Sequence, residues 1–281
     1  MKKVISLDIG GTNTRVALIN EKYEIETSLI LPTEVGNLQA FLKSVSSIIK
    51  KAIPSLDAVS AIAAGVPGRV RHDGYIYALP NIHVDQIPLS SYLEKEFGLP
   101  CYVRNDAEVA ALAEANLGEF SKAKSLYFIT ISTGVGGALT IGGKLVNSSY
   151  EVGHTMFPYK GEIHEFEHMA SGTGITRLCD KNGLSVSSAR DFFALVENKH
   201  PLALRVYRDW IGLLSSFIKM VDEAFTPEVF TLTGGVMKSE KVFWKDLLAA
   251  CPGIDIKRCS FEQNAGLVGA AVYGFQMIEG K

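Results

Sequence analysis

Cysteine is scarce in this 281-residue chain and unpatterned: Cys101, Cys179, Cys251 and Cys259 show no CxxC spacing. That excludes a disulfide framework or a zinc knuckle and makes a cytoplasmic protein with reduced thiols the expectation. Charge of one sign is missing too. The formal net charge is −2, with no basic block and no acidic tail, so neither a nucleic acid nor an anionic membrane has electrostatic support as a partner. No apolar run reaches membrane-spanning length. The opening MKKVISLD enters a strand and an acid without the apolar core of a signal peptide. The remainder, 47% hydrophobic and 21% charged, is the composition of a soluble globular protein long enough for two modest domains.

The informative stretch is Lys3 to Leu18, KVISLDIGGTNTRVAL. Val4 to Leu7 and Arg15 to Ile19 are short apolar runs with β-branched residues, joined by Asp8-Ile9-Gly10-Gly11-Thr12-Asn13-Thr14, and together they read as a β-hairpin. Glycines let a ligand approach the backbone, whose N–H groups can point, with threonine hydroxyls, at phosphate oxygens. Asp8 could hold a hydrated Mg²⁺, which takes one or two carboxylates plus phosphate oxygens. Alone, the stretch reads equally as an ordinary turn.

Tyr23 to Leu31 reads as a third strand, and Leu38 to Ile53 has a helical period at Leu38, Phe41, Leu42, Val45, Ile48 and Ile49. Ala58 to Ala63 is a buried strand running into a loop with Gly65, Pro67 and Gly68, at a strand end where α/β proteins place ligands. Three antiparallel strands, a helix and a further strand suggest a mixed sheet with helices on its faces. A helix over Leu89 to Phe97 follows, then a strand over Cys101 to Arg104, which delivers Asn105-Asp106 into a helix over Ala107 to Leu117. In isolation that Asn-Asp pair reads first as a helix cap.

Gly118 to Lys124 is polar and marks the expected domain boundary, after which the first pattern restarts. Ser125 to Ser132 is a strand, Thr133-Gly134-Val135-Gly136-Gly137 a Gly/Thr turn, and Ala138 to Ile141 the returning strand, with Gly142-Gly143 as a hairpin signal before Lys144 to Val146. Two phosphate loops, one from each of two similar domains facing across a cleft, would suit a nucleotide triphosphate. Further on, Ser148 to Thr155 places Glu151 and His154 three apart. Ser171-Gly172-Thr173 starts a helix, Leu204 to Phe225 is a long amphipathic one, and Val229 to Leu232 is a strand leading to a turn with Gly234 and Gly235, a third candidate nucleotide contact. Ala265 to Met277 is a closing helix with small residues.

These residues resemble the ROK family of sugar kinases and sugar-responsive repressors, within the actin-like ATPase superfamily. The likeness rests on DIGGTNTR (Asp8–Arg15), AAGVPGRV (Ala63–Val70), LPN (Leu79–Asn81), RNDAEVAALAEA (Arg104–Ala115), ISTGVGGAL (Ile131–Leu139), EVGH (Glu151–His154), ASGTGI (Ala170–Ile175) and LTGGV (Leu232–Val236), in that order. It implies two ribonuclease-H-like α/β domains with mixed sheets flanked by helices and a cleft between them, over residues 1–118 and 119–264, with the closing helix of 265–281 packing on the first. It also implies that Asp106 is the base for a sugar hydroxyl and that Asn105, Glu151, His154 and Glu167 hold the sugar, with Gly65 and Asn81 at the rim. ATP with Mg²⁺ would meet Asp8, Gly10, Gly11, Thr12, Asn13, Thr14, Thr133, Gly134, Gly234 and Gly235, with Asp8 serving the Mg²⁺ through water or phosphate. Glu167 is assigned because EFEHMASGT (Glu165–Thr173) looks like the family's CLEAYASGT segment.

The same alignment exposes a departure. Most relatives carry a cysteine cluster before this glutamate, binding a structural zinc together with the histidine of EVGH, whereas Pro158 to Glu167 has no cysteine. The zinc is expected to be absent, with the loop from Phe157 to Phe166 held by packing of Phe157, Tyr159, Ile163 and Phe166. His164-Glu165-Phe166-Glu167-His168 matches HExxH, which on a helix would put two zinc ligands on one face, but every other motif contradicts a protease. His154, His164 and His168 forming a substitute metal site is the remaining metal reading, against plain surface histidines. The expected function is an ATP-dependent hexose kinase acting on the 6-hydroxyl of glucose, with an N-acetylmannosamine or other hexosamine kinase, or a fructokinase, as alternatives. A non-catalytic sugar-binding regulator is the class-level rival, disfavoured because the first strand starts at Val4 and leaves no room for a DNA-binding domain. A homodimer is one assembly the resemblance allows.

Overall fold

The computed structural model describes the chain except residues 72, 80, 147–150 and 281. The proline of LPN and the 148–150 stretch before Glu151 therefore lie outside the described residues. The order begins β1 (Lys3–Ile9), β2 (Asn13–Asn20), β3 (Ile25–Pro32), α1 (Leu38–Ala52) and β4 (Val59–Val66). It continues with β5 (Ile76–Leu79), β6 (Val84–Ile87), α2 (Leu89–Phe97), β7 (Cys101–Asn105) and α3 (Asp106–Leu117). Then come β8 (Ser125–Ile131), β9 (Val135–Ile141), β10 (Lys144–Leu145), β11 (Met156–Tyr159), β12 (Glu162–Glu165) and α4 (Glu167–Ala170). The chain ends with α5 (Gly172–Lys181), α6 (Ala189–Glu197), α7 (Pro201–Phe225), β13 (Val229–Thr233), α8 (Glu240–Ala250), β14 (Ile256–Arg258) and α9 (Ala265–Ile278).

Two compact units result. The first comprises residues 1–122, 140–150 and 260–281, the second 123–139 and 151–259. The expected division at 118/119 and 264/265 differs from this in giving 119–122, 140–150 and 260–264 to the second domain.

In the first unit the sheet order is β3-β2-β1-β4-β7, antiparallel among the first three strands and parallel from β1 through β4 to β7. Successive strand side chains point to opposite faces. Ile5, Leu7 and Ile9 accordingly pack with Phe41 and Val45 of α1 and Leu93 of α2. Val4, on the other face, packs with Val109 of α3 and Leu267 and Phe275 of α9. The result is helix, sheet, helix in three layers. Asn37 starts α1 by accepting from Ala40 N at 2.9 Å, and Lys50 and Lys51 sit in its last turn, where cations favour the helix dipole. A buried carboxylate, Glu114 of α3, accepts from Ser260 N, Ser260 Oγ and Phe261 N, tying the chain before α9 to α3.

The second sheet has the order β10-β9-β8-β13-β14, again antiparallel through β10, β9 and parallel from β8 to β13 and β14. Ile129, Ile131, Phe230 and Leu232 from its strands bury against Ile175 of α5, Trp210, Leu214 and Phe217 of α7, and Phe243 of α8. Pro201 at the first turn of α7 suits a position whose N–H needs no helical partner.

Several boundaries move relative to the sequence expectation. Gly65 lies inside β4, not in the loop after it, and Val135, Gly136 and Gly137 belong to β9, so the second Gly/Thr turn is only residues 132–134. Two hairpins, β5–β6 and β11–β12, are not foreseen from the sequence, the second standing where a loop from Phe157 to Phe166 is expected. The β11–β12 pair turns through Lys160 and Gly161, both at positive φ (50° and 82°), a two-residue turn whose twist matches the strands. Its charged strands and Pro158 hid the pattern. The expected packing of this segment holds for Phe166, which is fully buried and stacked on Phe217 at 4.3 Å, with Phe157 5.4 Å from Phe166. Tyr159 is held through its hydroxyl on Asp209 (2.8 Å), whereas Ile163 is 61% exposed and contributes no packing.

Candidate active site

In the first unit, candidate residues gather at the carboxyl ends of three parallel strands, where open α/β sheets bind ligands. Asp8 of β1 is in register with Gly65 of β4, and Gly65 with Arg104 of β7, one residue before Asn105. Burial pushes the Asp8 carboxyl above its ordinary value, opposed by the charge of Arg15 on the paired strand. Its carboxylate also crowds the start of α9: a Cβ on Gly266 would lie 2.7 Å from it.

The Gly10-Gly11 turn closes with Gly10 N donating to Asn13 O at 2.9 Å. Thr12 and Asn13 are exposed on it. Thr14, read from the sequence as a nucleotide contact, is instead buried, its hydroxyl 3.0 Å from that of Thr33, which donates to Gly10 O at 2.7 Å. Asn81 abuts the turn: a Cβ on Gly11 would come within 2.9 Å of the Asn81 Cβ.

Asp106 is the first residue of α3, exposed, with one carboxylate oxygen accepting from Ala107 N at 2.8 Å. The preceding Asn105 caps the helix. Its Oδ1 accepts from Ala107 N at 2.8 Å, Glu108 Oε2 accepts from Asn105 N at 3.2 Å, and the Asn105 Nδ2 donates to Gly68 O at 3.0 Å. The cap reading and the site reading are thus compatible: Asn105 fixes helix and loop, leaving one amide hydrogen for a ligand. Gly65 has a packing role, since a Cβ there would lie 2.6 Å from Val109 Cγ2 on α3.

The second unit holds the rest. Gly134 and Glu167 touch: a Cβ on Gly134 would meet Glu167 Oε2 at 2.7 Å, and that oxygen accepts from Val135 N at 3.2 Å. The Thr173 hydroxyl donates to Thr133 O at 2.7 Å, so the start of α5 braces the same turn. Gly234, after β13, has φ 103°, and a Cβ there would collide with the Ile131 backbone, a place only glycine fills. Beside Thr133 and Gly235 opens a cavity of about 1010 Å³, lined also by Thr173, Arg190, Phe193 and Lys238.

His154, half-exposed, has Nδ1 3.1 Å from Glu165 Oε2 and Nε2 3.7 Å from Glu151. Partial burial of the ring lowers its pKa, but the bond to Glu165 and the charges of Glu165, Glu167 and Glu151 outweigh that and hold it above the ordinary value. His168 Nε2 lies 3.3 Å from the same Glu165 oxygen. Among the described residues, His154, Glu165 and Glu167 offer ligand atoms within 4.8 Å of one another, so these, and not the alternative set of His154, His164 and His168, are the residues that could hold a metal here. His164 neighbours Glu165 on β12 and so points to the opposite face, towards Glu162. The HExxH spacing is not helical either, since His164 lies in β12 and His168 in α4. Sequence reasoning missed Glu165. Its signal was alternation on a strand, which an unrecognised hairpin concealed.

A duplicated strand–turn–strand with candidate ligand residues at strand ends is the architecture of a two-part α/β protein. The ROK family profile matches residues 4–275, and the chain belongs to the ROK family. It is similar to a glucokinase of Halalkalibacterium halodurans, 28% identical with 94% of this chain and 92% of the relative covered. An N-acetyl-D-glucosamine kinase of Haemophilus influenzae is 25% identical over 94% of this chain and 97% of its own. Among solved structures, the ROK hexokinase of Thermus thermophilus superposes with TM-score 0.88 at 26% identity, covering 99% of this chain and all of the other. Among the described residues no helix is long and apolar enough to cross a membrane.

Proposed function

We propose that this chain is an ATP-dependent sugar kinase that moves the γ-phosphoryl of ATP to the 6-hydroxyl of a hexose, glucose first. The observation that carries the reading is Asp106, an exposed carboxylate on the first turn of α3 at the end of β7, fixed by a capped helix start. Asp106 takes the proton of the sugar hydroxyl as its oxygen bonds to the γ-phosphorus. The bond from that phosphorus to the β–γ bridging oxygen breaks, leaving ADP and a sugar 6-phosphate. Positioning and electrostatics supply most of the rate in such transfers. Glu151, His154 and Glu167 hold sugar hydroxyls, each carboxylate accepting from two neighbours. Asn81 and Gly65 shape the rim.

The Gly10-Gly11 and Thr133-Gly134 turns present backbone N–H groups to phosphates, and the cavity beside Gly235 takes the nucleoside. Asp8 fits Mg²⁺: a carboxylate whose burial already disfavours its charge, offset by Arg15, gains from a cation that neutralises phosphate oxygens. A structural zinc is left out of this reading because no thiolate lies in residues 158–167.

A coupled ADP-release assay over hexoses and N-acetylhexosamines tests the proposal. Sugar-dependent ADP formation with glucose supports it, while a strong preference for an N-acetylhexosamine shifts the substrate. Sugar binding with no ADP release for any sugar would leave the regulator reading standing.

A further inference from the structure

We infer that Glu165 is a positioning residue for the sugar site, acting through His154. This rests on the proposed role of His154 as a sugar ligand and goes beyond it by naming what aims the ring. Glu165 ends β12, and its place is set by packed structure on both sides. Phe166 N donates to Thr155 O at 2.8 Å, prolonging the β11–β12 ladder to the residue after His154. Phe166 itself is stacked on Phe217 of α7, while the far end of the hairpin is tied to α7 through Tyr159 and Asp209. The backbone at Glu165 is therefore held in place on both sides, and its carboxylate reaches the ring from a set position.

One oxygen of Glu165 receives both His154 Nδ1, at 3.1 Å, and His168 Nε2, at 3.3 Å. With Nδ1–H committed to a carboxylate, ring rotation and tautomer are both fixed, and Nε2 becomes the atom presented to a ligand. That nitrogen lies 3.7 Å from Glu151 Oε2, beyond direct hydrogen-bond length, so the two are spaced to receive neighbouring hydroxyls. Glu167, the other carboxylate of the cluster, is engaged with Val135 N and does not compete for the ring. The carboxylate of Glu165 thus aims an imidazole that would otherwise swing freely on a half-exposed turn.

The test uses the full chain with four variants, Glu165→Leu, Glu165→Gln, His154→Ala and the double Glu165→Leu/His154→Ala. Steady-state kinetics are read for both substrates, and thermal melts check folding. Glu165→Leu is expected to raise the sugar KM about tenfold, with the ATP KM and kcat within about twofold. Glu165→Gln, which keeps an acceptor for Nδ1–H, should recover most of that loss. The double variant should be no worse than His154→Ala alone, because a residue acting only through another adds nothing once that partner is gone. Additive losses, a sugar KM unchanged in Glu165→Leu, or activity that needs added zinc and is lost on chelation would overturn the inference. If no variant, parent included, releases ADP with any sugar, the kinase reading itself falls; an active parent with additive losses defeats the role of Glu165 alone.

Discussion

The two strands that open the repeats, β1 and β8, are each seven residues long and share one pattern of burial, with the third-last to last positions alternating in the same way. Each pairs antiparallel with the strand after its turn and parallel with a later one. Their chemistry has diverged. At the sixth position β1 carries Asp8 and β8 carries Thr130. The first turn is braced by the neutral hydroxyls of Thr14 and Thr33, whereas the second leans on the Glu167 carboxylate and on Thr173 at the start of α5. Duplication reproduces a backbone, because strand alternation and small turn residues suffice for it. The side chains that support each turn come from elsewhere in the sequence and are free to differ. In the proposed scheme the second turn leans on a sugar ligand, Glu167, whereas the first touches only the rim residue Asn81.

The largest expected effect falls outside both turns and calibrates them. Asp106→Asn should lower kcat about a thousandfold with sugar binding largely intact, since general base catalysis is the only function removed. Turnover within about tenfold of the parent would refute the assignment of the base.

Asp8→Asn removes the carboxylate that the second repeat lacks at the matching position, Thr130. It should cut kcat about a hundredfold while raising the melting temperature at pH 7. The sign follows from burial. The folded carboxyl has a raised pKa, so ionisation costs stability once pH passes the unfolded value of 3.8, and fully above the folded one. Melts of parent and variant should therefore converge as pH falls towards about 4; a variant less stable than the parent at pH 7 would contradict this.

Two glycine substitutions address the difference between the turns directly. Gly134→Ala places a methyl 2.7 Å from Glu167 Oε2 and should raise KM for both sugar and ATP, each about tenfold. Gly11→Val crowds the phosphate face and the rim residue Asn81 and should raise the ATP KM about tenfold and the sugar KM by less, about threefold. If Gly134→Ala spared the sugar, the coupling of turn and sugar ligand through Glu167 would be wrong.

The smallest effect is an expected absence of change. Chelation followed by Mg²⁺ repletion should leave activity and melting temperature where they were, because His154, Glu165 and Glu167 lack the thiolate set of a tight structural zinc. Elemental analysis finding one firmly held zinc per chain would reverse this and make His154 a metal ligand.

Much of this was legible without a structure. The apolar run Val4 to Leu7 in β1, and Tyr207, Ile211, Leu214 and Ile218 in α7, declare their elements, a short β-branched run marking a buried strand and a 3.6-residue period one face of a helix. The repeated Gly/Thr turns and the strand-to-helix junction at Asn105-Asp106 announce themselves through residue types that only such backbone tolerates. Tertiary structure decided what each group is used for. Thr14 turned inward to Thr33, Gly65 made room for Val109, Asn105 spent most of its amide on a cap and a loop, and Glu165 captured His154 across a hairpin that its charged strands had concealed. The reason is that propensity and periodicity act over a few residues, while a hydrogen-bond partner is whichever group the register and packing of distant segments bring within about 3 Å.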